Sequence, residues 1–183
     1  MASLVGVTTL LLARHGETDW NREFRIQGSS DIELNELGRE QAQALARELD
    51  RVEIDAIYAS DLRRASATAE AVAAAKGLEV TLDPRLRERS FGSWEGLDRE
   101  EVLARREASE PHDGETDEEV RSRVLASIDE IAQTHPGKQV LVVSHGGALN
   151  TLWHHALGVR IERWANCAVF RLAVSDGRFR EVS

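Results

Sequence analysis

The chain has 183 residues, one cysteine and a formal net charge of −9 from 32 acidic and 23 basic side chains. That length suffices for one domain with a full core. The negative balance disfavours non-specific binding to nucleic acid or to an anionic membrane surface, and the lone Cys167 excludes an internal disulfide and a cysteine-rich metal site. No window of 18 apolar residues exists, so no membrane span is expected. Segment 4–7 lacks a basic flank and reads as the lead-in to a strand, not as a signal peptide. A cytoplasmic protein is the expectation.

In chain order, an apolar strand over 7–13 runs directly into Arg14, His15 and Gly16. A polar loop over 16–33 follows, carrying Trp20, Asn21, Arg25, Gln27 and Gly28. It is long for a strand-to-helix connection, which usually takes about two to six residues, and long ordered loops at strand ends tend to carry function. Asn35 suits an N-cap, and Leu37, Gln41, Leu45 and Leu49 recur at helical spacing, which predicts a helix over 36–49. A short strand over 54–58 leads through Ala59-Ser60-Asp61 into an alanine-rich helix that Gly77 terminates. Its buried stripe is Leu62, Ala65, Ala69, Val72 and Ala73. Segment 78–82 reads as a further strand, and Pro84 opens a loop through Glu88 to Gly96. A charged, weakly apolar helix is expected over 98–108, ended by Pro111. A stronger one runs to Thr134 with Val120, Val124, Ile128 and Ile131 on one face. Pro136-Gly137 turns the chain into a strand over 139–143, a helix over 148–157 follows His145, and segments 166–174 and 178–182 read as a hairpin across Ser175-Asp176-Gly177. Cys167 sits in an apolar run and reads as core.

Strands alternating with helices predict an α/β fold: a single doubly wound, three-layer (α/β/α) domain over 1–183, with a mostly parallel sheet and an antiparallel margin. The chain carries neither a Gly-x-Gly-x-x-Gly turn nor a Walker lysine motif, so a nucleotide-phosphate loop of either kind is not expected. Two strands each deliver a histidine followed by glycine: Arg14-His15-Gly16 and Ser144-His145-Gly146-Gly147. In open α/β sheets ligands bind beyond the carboxyl ends of the strands. Arginine offers a rigid fork of donors that suits phosphoryl oxygens, and a neutral histidine can take up a phosphoryl group. Candidate residues are therefore Arg14, His15, His145, one of the adjacent pair Arg63 and Arg64, and the carboxylic acid Glu88, which could protonate a leaving oxygen and later deprotonate water. Gly146 and Gly147 place backbone donors at the start of a helix, the positive end of its dipole. His112, His135, His154 and His155 show no metal-ligand spacing and read as loop or surface residues.

The segment Leu12-Ala13-Arg14-His15-Gly16-Glu17-Thr18-Asp19-Trp20-Asn21 resembles the signature of the histidine phosphatase superfamily, also called phosphoglycerate-mutase-like. Ser60-Asp61-Leu62-Arg63-Arg64-Ala65 with Thr68-Ala69 resembles its second block, Leu86 to Gly96 the block that carries the acid, and Ser144-His145-Gly146-Gly147 its last catalytic block. Gly114-Glu115-Thr116 resembles a further helix start, and the likeness runs from Thr8 to about Leu172. The resemblance implies His15 as the nucleophile that forms a phosphohistidine, with Arg14, Arg64 (rather than Arg63) and His145 holding the phosphoryl oxygens. It implies Glu88 as proton donor and then base, with Thr18, Asn21, Gln27, Gly28 and Gly146 around the phosphate or substrate. It implies no metal and no cofactor, and a small-molecule phosphate ester as partner; a homodimer stays open.

Two departures favour a phosphatase over a mutase within that family. Only 25 residues (89–113) separate Glu88 from Gly114, where mutases carry a longer lid with arginines for the substrate carboxylate. Arg105 and Arg106 are present but fall in the short charged helix, and the sequence stops at Ser183 without a long closing tail. The expectation is a phosphomonoester hydrolase acting on small phosphorylated metabolites. The alternatives are a phosphoglycerate mutase and a non-catalytic phosphate-ester binding or regulatory module.

Overall fold

The structure, a computed structural model, describes residues 6–182; the lead-in residues Leu4 and Val5 lie outside them. Six strands form one sheet in the order β3-β2-β4-β1-β5-β6. They are β1 (Thr8–Arg14), β2 (Ala56–Ala59), β3 (Val80–Leu82), β4 (Gln139–Ser144), β5 (Val169–Ser175) and β6 (Arg178–Val182). The pairs β1–β4, β2–β4 and β2–β3 are parallel, whereas β1–β5 and β5–β6 are antiparallel. This is the mixed α/β architecture expected, with the hairpin as its antiparallel margin.

Successive side chains of a strand point to opposite faces, so a central strand covered on both sides is apolar throughout. Leu10, Leu12, Val140 and Val142 join one core cluster with Val120, Val124, Ile128 and Ile131 of α5 (Asp117–Thr134) and Leu149 and Leu152 of α6 (Gly146–Leu157). Leu11, Ala13, Leu141 and Val143 join the other with Leu45 and Ala46 of α2 (Glu36–Glu48) and Ala65, Ala69 and Val72 of α3 (Arg63–Lys76). The alanine stripe of α3 lets that helix lie close to the sheet. Gly77 ends it in a left-handed turn at φ 64° that a Cβ would strain.

Asn35 caps α2 as read, and Thr116 caps α5 in a reciprocal box with Glu119. Several details differ from the sequence reading. Leu37 is 47% exposed, because it lies in the first turn of α2 on the side away from the sheet. The polar loop contains a one-turn helix, α1 (Asp19–Arg22), that its sequence pattern does not predict. α6 begins at Gly146, two residues earlier than expected, directly after His145. The strand expected from 166 begins at Val169. The residues before it form a turn in which Cys167 has φ 59° and donates its N–H to the Arg14 carbonyl. Cys167 is consequently half-buried, not a core strand residue, and burial pushes its thiol up to about 12. α4 (Arg99–Glu107) is capped by Asp98 and buries one side chain, Val102, as its charged sequence implies.

Candidate active site

The two histidine-bearing strand ends lie side by side. Arg14 pairs in register with Ser144, and the His15 N–H donates to the Ser144 carbonyl at 3.0 Å. The rings of His15 and His145 stand 5.1 Å apart. Beyond them opens a cleft of about 500 Å³, lined among others by Arg14, His15, Asn21, Gln27, Gly28, Arg64, Glu88 and Gly147. Its mouth carries Arg25, and Arg89, Arg106 and Arg160 near Asp117.

His15 is buried, and its Nδ1 lies 2.6 Å from the Gly16 carbonyl. A carbonyl only accepts, so Nδ1 carries the proton and Nε2 keeps its lone pair without a protein partner among the described residues. Burial, reinforced by the charges of Arg14 and Arg64, holds the imidazole well below the ordinary histidine range. At neutral pH it is uncharged, the form in which an imidazole can act as a base or a nucleophile.

Arg64 has no exposed surface. It donates Nη1 to Ser30 O, Nη2 to Gly28 O and Nε to His145 Nδ1, which leaves two N–H groups on a residue that lines the cleft. Burial, aided by the charge of Arg14, brings its pKa down to about 10, with Glu88, Asp31 and Glu95 opposing. It stays a cation at neutral pH. Its neighbour Arg63 is exposed, pairs with Asp31 and Glu33, and does not line the cleft. Arg14 donates Nη1 to Trp164 O at 2.6 Å, and its buried Nε has no partner. An unpaired cationic donor beside a cleft is suited to an anion.

Glu88 accepts three backbone N–H groups: Arg89 at 2.9 Å, Gly147 at 2.9 Å and Ala148 at 3.0 Å. The first turn of α6 thus holds this carboxylate. Gly146, expected to supply a backbone donor to the substrate, does not line the cleft, and the neighbouring donors are engaged by Glu88. A Cβ on Gly147 would fall 2.5 Å from Glu88 Oε1, so only glycine permits this approach. Behind Glu88, Arg123 donates to the carbonyls of Arg85, Arg87 and Glu88 and pairs with Glu115 at 2.7 Å.

His145 and Thr18, both fully buried, do not line the cleft. The Nδ1 of His145 accepts from Arg64, so its proton lies on Nε2, which donates to Ser60 Oγ at 2.8 Å. Thr18 caps α1: its Oγ1 accepts from the Asn21 N–H and contacts Gln27 Oε1 at 2.9 Å. Sequence reasoning missed Glu95, whose carboxylate accepts from Ser29, Ser30 and Phe91 and fastens the loop after Gln27 to the loop after Glu88. Burial opposes its charge, but those hydrogen bonds hold the carboxyl below its ordinary range. The mouth residues Arg89 and Arg160 were also missed; only the folded chain brings them together. Among the described residues no group of three or more His, Cys, Asp and Glu side chains is placed to hold a metal ion.

Residues 10–183 match the model of the histidine phosphatase superfamily (branch 1). The chain belongs to this superfamily. It is 38% identical over 166 residues to phosphoserine phosphatase 1 of Hydrogenobacter thermophilus, covering 85% of this chain and 79% of that protein. It is 35% identical to phosphoglycerate mutase-like protein 4 of Arabidopsis thaliana, over 94% of this chain and 82% of that one. A solved phosphoglycerate mutase from Bacillus anthracis superposes with a TM-score of 0.90 at 27% identity, covering 98% of this chain and 93% of that one. This histidine phosphatase therefore keeps Arg14, His15, Arg64 and Glu88 on one cleft, with His145 directly behind Arg64.

Proposed function

We propose that this histidine phosphatase hydrolyses small phosphate monoesters through a phosphohistidine on His15, and that 1–183 works as one catalytic domain. The observation that carries the reading is the engaged Nδ1 of His15, which leaves an unprotonated Nε2 beside two arginines. Phosphoryl oxygens would bind the remaining N–H groups of Arg14 and Arg64 and the Asn21 amide. The Nε2 lone pair attacks phosphorus, the P–O bond to the leaving group breaks, and protonated Glu88 transfers its proton to the departing oxygen. The Glu88 carboxylate then takes a proton from water, whose oxygen attacks phosphorus; the P–N bond breaks and its electron pair returns to Nε2. Arg14 and Arg64 balance the phosphoryl charge throughout, so the scheme needs no metal. His145 supports it by holding Arg64.

Hydrolysis is favoured over mutase chemistry by the cover of the cleft. A mutase must keep water from the phosphohistidine while its intermediate turns over. Here the segment between Glu88 and Gly114 forms a 3-10 turn (Gly92–Trp94) and the nine-residue α4, and Arg25, Arg106, Asp117 and Arg160 at the mouth are all exposed. The mutase reading keeps one supporting observation: Arg89 and Arg106 reach the mouth, where a substrate carboxylate would lie. With the acidic phosphate esters named for its relatives, the same arginines favour substrates bearing a second anionic group. A cytoplasmic location fits a chain whose described residues include no helix long and apolar enough to cross a membrane.

The test is phosphate release from a panel of sugar, amino-acid, nucleotide and glycerate phosphates, with rapid-quench trapping of an acid-labile, base-stable label on the protein. Retention of label by the His15→Ala protein would remove His15 as the acceptor. Incubation with 3-phosphoglycerate and catalytic 2,3-bisphosphoglycerate should yield little 2-phosphoglycerate; isomerisation faster than hydrolysis across the panel would move this protein to the mutases.

A further inference from the structure

We propose that Asn166, in the turn before β5, is a positioning residue that ties the nucleophile to the Asn21 amide and fixes that amide as a donor into the cleft. The inference rests on the phosphoryl-transfer reading above. A carboxamide has a donor end and an acceptor end, and its neighbours decide which end faces a ligand. Here the neighbours leave no choice. The backbone N–H of Thr18 can only donate, and it points at the Asn21 side-chain oxygen at 3.2 Å. The His15 carbonyl can only accept, and Asn166 Nδ2 lies 2.9 Å from it. The group that Asn166 presents to both neighbours is therefore its NH2. Its second contact is Asn21 Oδ1, at 3.4 Å.

Asn21 Oδ1 is thus held from two sides, by Thr18 and by Asn166, while Asn21 lines the cleft. Its Nδ2 makes no hydrogen bond to protein among the described residues and is the end left to a phosphoryl oxygen. The same turn grips the other half of the motif, because Cys167 N–H donates to Arg14 O at 3.0 Å and Trp164 O accepts from Arg14 Nη1. One segment, 164–168, therefore sets the register of Arg14, His15 and Asn21 together. Asn166 is the member that acts by its side chain, and it lies 145 residues from Asn21.

The consequence is a coupling that a purely structural asparagine would not show. Asn166 acts on the phosphoryl group through Asn21, so its removal should matter less once Asn21 is gone. The measurement is a cycle of Asn21→Ala, Asn166→Ala and the double variant, read by kcat, KM and inhibition by orthovanadate, with Asn166→Asp as an isosteric companion. Asn166→Ala should lower kcat/KM and weaken vanadate inhibition by roughly 10-fold to 100-fold, the scale of a misplaced binding group. In the Asn21→Ala background the same change should weaken vanadate inhibition no more than about twofold, the mark of two residues acting as one unit. Asn166→Asp, which sets a carboxylate oxygen against two acceptors, should keep the fold and lose at least as much as Asn166→Ala. Equal losses in both Asn21 backgrounds, or a fully active Asn166→Asp, would overturn the assignment. Wild-type protein that takes no label on His15 would instead refute the underlying phosphohistidine reading, whatever Asn166 does.

Discussion

The ends of β1 and β4 are near-copies in sequence and opposites in chemistry. Each is a buried strand, parallel to the other, that delivers a histidine followed by glycine, and each histidine is held uncharged. Burial is the main cause at both, with Arg14 next at His15 and Arg64 next at His145. The difference lies in what the ring nitrogens meet. His15 turns Nδ1–H onto the Gly16 carbonyl and leaves Nε2 without a partner. His145 has both nitrogens engaged, by Arg64 on one side and Ser60 on the other. One strand end presents a lone pair to the cleft, and the other holds the arginine that the proposed function assigns to the phosphoryl group. The role of a histidine is set by the group beside its second nitrogen, not by the strand that carries it.

The sharpest way to break that comparison is to remove each ring in turn. His15→Ala should lower turnover by the order of 10⁴–10⁶-fold, as loss of a nucleophile does. His145→Ala should cost about 10²–10³-fold, the range for one misplaced charge-stabilising donor. The stability order should reverse, because His145→Ala leaves Arg64 Nε buried without its partner, at about 1–3 kcal/mol, and removes one of the two hydrogen bonds at Ser60 Oγ, which still accepts the Leu62 N–H. Kinetics and urea denaturation of the two variants read both orders. If His145→Ala were the more damaging change to turnover, the division of roles would be wrong.

The second test concerns Gly147, which stands one residue beyond the glycine that follows His145. Gly147 exists in its present form because Glu88 lies against it. Glu88→Gln should slow an alkyl phosphate by about 10²–10⁴-fold, the contribution of a positioned proton donor. p-Nitrophenyl phosphate, whose leaving group needs little protonation, should suffer far less. Gly147→Ala should reproduce that leaving-group pattern at roughly 10–10²-fold, with little loss of stability, because the flexible carboxylate end moves and the backbone does not. Equal losses for both esters in either variant would assign Glu88 an electrostatic or structural role instead.

Much of this contrast was legible in the sequence, and the rest was not, for a physical reason. Periodicity located α2 and α5, and capping by Asn35 and Gly77 bounded α2 and α3, since those signals act within about one turn. The strand-His-Gly repeat placed both histidines at a sheet edge. Arg64 against Arg63 could not be decided by spacing, because both occupy the first turn of α3; only the resemblance chose between them. The grip of α6 on Glu88, the Glu95 hub and the Asn166 contact join segments 60 to 145 residues apart. No periodic pattern encodes such contacts. The same limit explains Cys167: its apolar neighbours suggested a strand, while its positive φ is imposed by the turn that grips Arg14.

Titration tests the feature the two strand ends share. A buried neutral histidine has a lower pKa in the folded than in the unfolded chain, so below about pH 6.5 the unfolded state binds more protons. Stability contributed by His15 and His145 is therefore complete above that value and is lost as pH falls below it, down through the depressed folded values. Melting temperatures measured from pH 7.5 downward should decline below about 6.5, and less steeply in His145→Asn, which removes one titrating group. The acid limb of kcat/KM, corrected for ionisation of the substrate, should lie below the ordinary histidine range, since His15 stays unprotonated there. A limb at the ordinary value would mean that the nucleophile is solvated.

The smallest expected effect is that of metal removal. Two histidines with rings 5.1 Å apart are a pair that a divalent ion could bridge if each turned a lone pair toward the other. Here only His15 Nε2 is unengaged; His145 Nδ1 accepts from Arg64, and the cation beside it opposes a second positive charge. The other charged groups on the cleft are arginines, the Glu88 carboxylate held by three N–H donors, and Asp117, which pairs with Arg89. Arg14 and Arg64 already supply the positive charge that a metal would bring to the phosphoryl oxygens. Protein treated with EDTA and exchanged into metal-free buffer should hydrolyse the preferred phosphate ester at its original rate, and added Mg²⁺ should change nothing. Zn²⁺, which favours imidazole, should if anything inhibit by occupying His15 Nε2, and His15→Ala should abolish that binding. If EDTA removed activity and Mg²⁺ or Zn²⁺ restored it, the arginines would not be sufficient and the uneven division of labour between the two strand ends would have to be redrawn around the ion.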